Sequence, residues 1–169
     1  AYKSVAQVSK KVYTTSRISI ENAADISIDG KLNEAVWKGN SKLKWASDFV
    51  QRLPNENDQA SQQTSFKIMY DAKYLYIGIN CFDDNIEEIN SRMSRRDGYN
   101  GDWVEITFDS YNDLRSAFSF SVSAAGVKSD KNIALNGSEE DLAWNPIWYA
   151  KTNIDESGWT AEMKIPLSQ

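Results

Sequence analysis

Apolar and polar residues alternate with a period of two along most of the chain, and helical periodicity is scarce. Residues 12–20 read as a strand carried by Val12, Ile18 and Ile20, and a short strand over 25–28 turns at Asp29-Gly30. Leu32, Val36 and Trp37 then share one side of a helical turn or two. Residues 51–63, with Pro54 and a run of Asn, Asp and Gln, form a loop. Past that loop the strands come regularly. Phe66, Ile68 and Tyr70 alternate, Asp71-Ala72-Lys73 turns the chain, and Leu75, Ile77, Ile79 and Cys81 make the inner row of a hairpin partner. Residues 83–99 are polar and irregular, with one helical turn expected near 86–90. Val104, Ile106 and Phe108 line one face of the next strand, opposite Trp103, Glu105, Thr107 and Asp109. Phe118, Phe120 and Val122 repeat the pattern against Ser119, Ser121 and Ser123, and further strands are expected over 127–135, 148–154 and 159–165. Roughly eight to ten short strands at such spacing predict an all-β fold, a β-sandwich of mostly antiparallel strands. The expected domain covers residues 20–169, with 1–19 an amino-terminal strand or extension.

Composition narrows the chemistry. The chain has 169 residues and no histidine, so neither Ser-His-Asp catalysis nor a histidine metal site can be assembled from it. The single cysteine, Cys81, excludes an internal disulfide and reads as a small buried hydrophobe. With 24 acidic and 19 basic side chains, the net charge is -5, and no basic stripe is present to neutralise nucleic-acid phosphates. No segment is apolar enough over about 18 residues to insert into a membrane.

Aromatic residues make up 12% of the chain. Core packing is the competing reading for any one tryptophan, but Trp103 has the outward phase. Trp144 and Trp148 lie in Trp144-Asn145-Pro146-Ile147-Trp148, where Pro146 favours an edge or loop. Exposed indoles with polar neighbours are platforms for the apolar faces of sugar rings. Nine acids fall between Asp83 and Asp113, and three readings compete: a solvated face paired to Arg92, Arg95, Arg96 and Arg115, a calcium site, or a glycosidase pair. For the last, Glu105 and Asp109 are about 13 Å apart along one strand, beyond the roughly 5–9.5 Å that glycoside hydrolysis requires. Arg96 beside Asp97, and Arg115, are guanidinium forks able either to bind vicinal hydroxyls or to pin loops.

Several segments, in order, resemble one family. Residues 28–37, IDGKLNEAVW, resemble the opening IDGxLDEAxW of carbohydrate-binding module family 9-like domains, with Asn33 in place of the acid. YDAKYLYIG at 70–78, RRD at 95–97, GDWVEITFD at 101–109, NDLR at 112–115 and GWTAEMKIP at 158–166 match the family's later motifs. More closely, the chain is similar to the amino-terminal domain of large bacterial envelope proteins with a predicted carboxy-terminal β-barrel region. The resemblance implies a β-sandwich that is not an enzyme, binding an oligo- or polysaccharide between two tryptophans, with calcium supporting the loops. Carried onto this chain, Trp148 is the expected stacking residue with Trp144 in reserve, and Arg96, Asp102 and Glu105 match motif positions lining the same region. Asp83, Asp84 and Asp109 are the expected calcium ligands. The implied location is the cell envelope, periplasmic or outer-membrane-associated, or secreted. An alternative role is a structural or interaction domain that docks on the rest of its parent chain.

Overall fold

Period-two alternation becomes nine strands in two stacked sheets. The computed structural model describes residues 11–39, 43–98 and 100–168. One sheet runs β1 (Ser16–Arg17), β2 (Thr64–Tyr70), β3 (Tyr74–Phe82), β9 (Gly158–Pro166) and β8 (Tyr149–Asp155). The other runs β4 (Trp103–Phe108), β5 (Ala117–Ser123), β6 (Lys128–Ala134) and β7 (Glu139–Asp141). Neighbouring strands are antiparallel except the β1–β2 pair. The all-β sandwich is as expected, and no helix among the described residues is long and apolar enough to cross a membrane.

The amino-terminal part differs from expectation. The strand expected over 12–20 shrinks to β1, because Ser19 caps a short helix α1 (Ile20–Ala24) by accepting from the Asn22 N–H at 3.2 Å. Residues 25–28 form no strand, and residues 1–10 of the expected extension lie outside the described residues. The helical turn after Asp29-Gly30 is α2 (Ala35–Lys38). A turn of tight helix at Ile86–Glu88 falls where one was expected, and Tyr99, the end of that polar stretch, lies outside the described residues. Strand β7 falls between the strands expected over 127–135 and 148–154, where none was expected, since three consecutive acids carry no apolar alternation to reveal it.

Between the sheets, the inner rows of β3, β9, β4 and β5 pack together around Ile77, Phe120, Val122 and Met163. Cys81 packs against this core, and burial pushes its thiol up to about 12, so it behaves as the small hydrophobe expected. A second core lies on the outer side of the five-stranded sheet, where Trp37, Ile26 and Leu43 cover Met69 and Tyr76. Its centre is one cross-strand row: Lys67, Gly78, Glu162 and Lys151 are successive partners on β2, β3, β9 and β8. Trp37 rests on Gly78, since a Cβ there would stand 2.7 Å from Leu32 and 3.0 Å from the indole. From that seat the indole Nε1–H donates to Glu162 at 2.9 Å, and the Trp37 carbonyl accepts from Lys67 Nζ at 2.9 Å. The Asp29 and Gly30 N–H groups donate to the other Glu162 oxygen at 3.0 and 2.8 Å. Gly30 sits at φ +90°, and a Cβ on it would stand 2.5 Å from the Thr152 backbone, so only glycine lets the turn close.

Glu162 is fully buried, and loss of water pushes its carboxyl up to about 7 even though its three N–H donors pull the other way, with the charge of Glu34 adding to the rise. A carboxyl raised on folding contributes stability that is complete below its unfolded value and is lost as pH rises through the folded one. Urea unfolding at a series of pH values is therefore expected to show stability falling between about pH 4.5 and 7, by up to about 3 kcal/mol, and levelling off above. Glu162→Gln should flatten that slope, at some cost in stability because its amide NH₂ would face an N–H donor. A wild-type protein growing more stable over the same interval would contradict this. At lower pH two other carboxylates reverse the sign. Partial burial raises Asp71, but hydrogen bonds from Lys73, Tyr74 and Tyr76 outweigh it, and bonds from Ser157 hold Asp155 low. Protonation removes those bonds, so acid lowers stability through these two groups.

Candidate functional site

The four-stranded sheet has one face in the core and one outside. Since Val104, Ile106 and Phe108 face inward, β4 presents Trp103, Glu105 and Thr107 outward. Registry places Trp103 opposite Ser123, Glu105 opposite Ser121 and Thr107 opposite Ser119, and continues Ser121 to Ser129 and Ser119 to Lys131. The outer face is thus a floor of short hydroxyl side chains between longer ones. The floor serines are buried although they face outward, because the neighbouring side chains stand above them.

A connected set of polar contacts crosses this face. Ser121 donates to one Glu105 oxygen at 3.1 Å, and Thr107 Oγ1 lies 3.3 Å from the other and 3.2 Å from Ser119 Oγ. Lys131 Nζ lies 3.7 Å from Glu105 and donates to Glu140 at 3.0 Å. Its ammonium therefore stands between two carboxylates. Hydrolysis by a carboxylate pair needs one of the two to carry a proton for the leaving group, and a shared ammonium is the opposite arrangement. What the face offers is an indole 46% exposed, beside fixed donors and acceptors in one plane.

The other expected site residues are placed elsewhere. Trp148 is 1% exposed and lies between the sheets. Its ring meets Phe120 edge-on at 5.3 Å, its Nε1–H donates to Asp130 at 2.9 Å, and Lys128 Nζ stands 5.1 Å from the ring. Neither indole face is open to a sugar, which corrects the stacking role expected for it. Trp144 is half-buried, with its ring 4.8 Å from Phe118 and 5.6 Å from Phe120, so it too packs against the core. Pro146 does mark an irregular segment, but both tryptophans of that segment turn inward onto the sandwich core.

Arg96 reaches the buried Asp130 carboxylate, with Asp97 3.8 Å from its Nε. It acts as the loop pin that was one of its two readings. Asp102 accepts from the Asn90 N–H at 3.0 Å and ties the segment after the Ile86–Glu88 turn to the start of β4. Arg115 sits in the β4–β5 turn, at the far end of β4 from Trp103, with its backbone N–H donating to Asp113.

The expected calcium ligands do not converge. Asp83 follows β3, beside Ser157, whereas Asp109 lies with Leu75 and Pro166 at the other end of that strand. The nine residues of β3 separate those ends by about 26 Å. Asp83 accepts from the Asn85 N–H, and both Asp109 oxygens accept backbone N–H groups of the next turn, from Asp113 and Leu114. Among the described residues no three His, Cys, Asp or Glu side chains are grouped as metal ligands. The set Asp83, Asp84 and Asp109 does not fit one ion.

Of the expected residues, then, the outer face gathers Trp103 and Glu105. It adds Thr107, Ser121, Lys131 and Glu140. The alternation on β5 is visible in the sequence, but the registry that brings Lys131 of β6 and Glu140 of β7 to Glu105 is not.

Fold and face together define a β-sandwich with a polar, aromatic-edged sheet surface. Residues 28–169 match the family described as carbohydrate family 9 binding domain-like, and the chain belongs to that family. A solved family 9 carbohydrate-binding module from Caldicellulosiruptor kristjanssonii in complex with cellotriose is similar to it at 22% identity, with a TM-score of 0.64 over 95% of this chain and 69% of that one. The same module in complex with glucose matches at 22% identity and a TM-score of 0.64, covering 95% and 70%. A structure from Bacteroides uniformis ATCC 8492 has 14% identity and a TM-score of 0.64, covering 92% and 73%. No curated protein matches the chain.

The Arg96–Asp130 contact can be separated from the outer face by mutation. Arg96→Ala leaves a buried carboxylate with the Trp148 N–H and the more distant charge of Lys128, and is expected to lower stability by about 1–3 kcal/mol in urea unfolding. An unchanged midpoint would show that Arg96 does not pin the loop.

Proposed function

We propose that the domain is a non-catalytic carbohydrate-binding module whose ligand lies across the outer face of the four-stranded sheet. The observation that carries this reading is the exposed Trp103 indole beside the Glu105–Lys131–Glu140 network. A pyranose ring would lie with its apolar face against the indole and bond to Glu105, two residues along the same face of β4, and a following ring of an oligosaccharide would reach Lys131 and Glu140. Membership of the family and the sugars bound by the Caldicellulosiruptor module support a neutral glucan end as the ligand. The reading includes a place within a longer envelope or secreted protein.

One observation favours the docking role as a second reading. Strand β4 ends its sheet, and an apolar cavity of about 340 Å³ lined by Leu75, Phe108 and Phe118 opens beside it. An added strand from elsewhere in the parent would use such an edge.

Calorimetric titration with cellotriose and glucose tests the sugar reading. Wild-type protein is expected to bind, Trp103→Ala to lose about tenfold in affinity, roughly 1.4 kcal/mol, and Glu105→Gln to lose a similar amount. Binding that survives Trp103→Ala unchanged, or a folded wild type that binds no neutral oligosaccharide on a glycan array, would overturn it.

A further inference from the structure

A second concavity lies where β8 of the five-stranded sheet meets the β5–β6 hairpin. It has a volume of about 510 Å³ and runs beside β8, the last strand of that sheet. Ile26 and Ile28 of the amino-terminal segment form its apolar wall, and Gly126 of the β5–β6 turn closes one end. Lys128, Lys151, Lys164 and Tyr149 supply the rest of the lining with Ala150. In a chain of net charge -5, three lysines thus line one groove with no carboxylate among its described lining residues.

The partners of these lysines leave the positive charge in place. Lys128 Nζ donates to the Trp148 carbonyl at 2.8 Å. Its nearby acid, Asp130, is already held by Arg96 and Trp148. Lys164 Nζ stands 4.2 Å over the Tyr74 ring and 5.5 Å from that of Tyr76, a neutral setting, and Asp71 feels its charge from the turn beyond. Lys151 is exposed and lies across from Glu162, a carboxyl buried beneath Trp37 and already accepting three N–H groups. Burial, with the charge of Arg96 added, holds Lys128 below the usual lysine range, which an incoming anion would relieve. Tyr149 is 52% exposed at the rim, and its cross-strand partner is Lys164. An exposed ring with ammonium groups beside it is the pairing that an acidic sugar needs, one face to stack and one charged group to neutralise.

We propose that this groove is a second binding site, for an anionic saccharide, with Tyr149 stacking on a sugar ring, Lys151 and Lys128 holding its carboxylate or sulfate, and Lys164 adding its charge from over the β3 tyrosines. The charge selection stands on the groove itself, while its saccharide part rests on the function proposed above. This groove lies beside β8 and takes Gly126 and Lys128 from the β5–β6 hairpin, but it shares no residue with the first site on the outer face of the four-stranded sheet, so the two are separable by mutation and by ligand charge.

The test is a titration of the whole chain with tetragalacturonate, cellotriose and sodium sulfate at about 20 and about 200 mM salt, roughly a threefold change in screening length. Wild type, Tyr149→Ala and Lys151→Glu are compared, with circular dichroism confirming that each is folded. Tetragalacturonate is expected to bind and to weaken about tenfold or more at the higher salt, as exposed charge pairs do. Lys151→Glu should lose about tenfold or more and Tyr149→Ala several-fold, with cellotriose titrations unaffected by either. Three results would overturn the proposal: no binding of tetragalacturonate, binding indifferent to both substitutions, or sulfate matching it with Tyr149→Ala silent. The last would leave a simple anion site. Failure of cellotriose alone to bind, with tetragalacturonate still held by this groove, would fail the outer-face reading and leave the second site standing.

Discussion

The arrangement depends on one buried carboxylate. Glu162 is sealed from solvent, so its lone pairs have to be satisfied by protein, and the donors come from chain more than a hundred residues away: Asp29, Gly30 and Trp37. A buried carboxylate without these donors would be strongly unfavourable, and the donors would have no buried acceptor without it. The Trp37 indole can reach it only because Gly78 has no side chain on the strand between. Lys67 fixes the other end of Trp37 through its carbonyl. Four separated stretches of sequence are thereby joined in one row, and the amino-terminal segment becomes the outer cover of the five-stranded sheet.

That row explains why the family motifs read as they do. The acid of TAE at 160–162, the glycine of LYIG at 75–78 and the IDG and W of the opening motif are partners in space, whereas along the chain they stand as independent signatures. The sandwich itself was legible, because inner-row alternation on β3, β4, β5 and β9 follows directly from burial of one strand face. The helix α1 was not, since its capping contact at Ser19 is local and its apolar residues are too few to show a period. Strand β7 was hidden for the converse reason: it pairs through its backbone while its side chains are all acidic.

The site was legible in part. Phase along β4 put Trp103 and Glu105 on the same outward face, and that inference needed only the period of a strand. Trp148 misled, because a tryptophan beside a proline in a polar neighbourhood resembles an exposed platform. Its polar neighbour is in fact Asp130, an inner-row residue of β6, whose burial the local sequence did not signal. Arg96 of RRD reaches the same Asp130 oxygen from the loop side, beside the Trp148 indole. Lys131 and Glu140 required the pairing of β6 with both β5 and β7, a long-range relation absent from any single motif.

The serine floor has a consequence for how this surface can change over generations. Side chains of β4, β5 and β6 that face outward point away from the inner rows, but the floor serines Ser119 and Ser121 are buried and tied to Thr107 and Glu105, so an exchange at one of them is felt by its neighbours on the same face. Replacing a floor hydroxyl by a longer amide or guanidinium would need room among the side chains beside it, and so a second change on the same face. The outer face is in this sense a set of coupled positions on a fixed frame, and ligand preference can drift by small groups of residues without the fold having to be rediscovered.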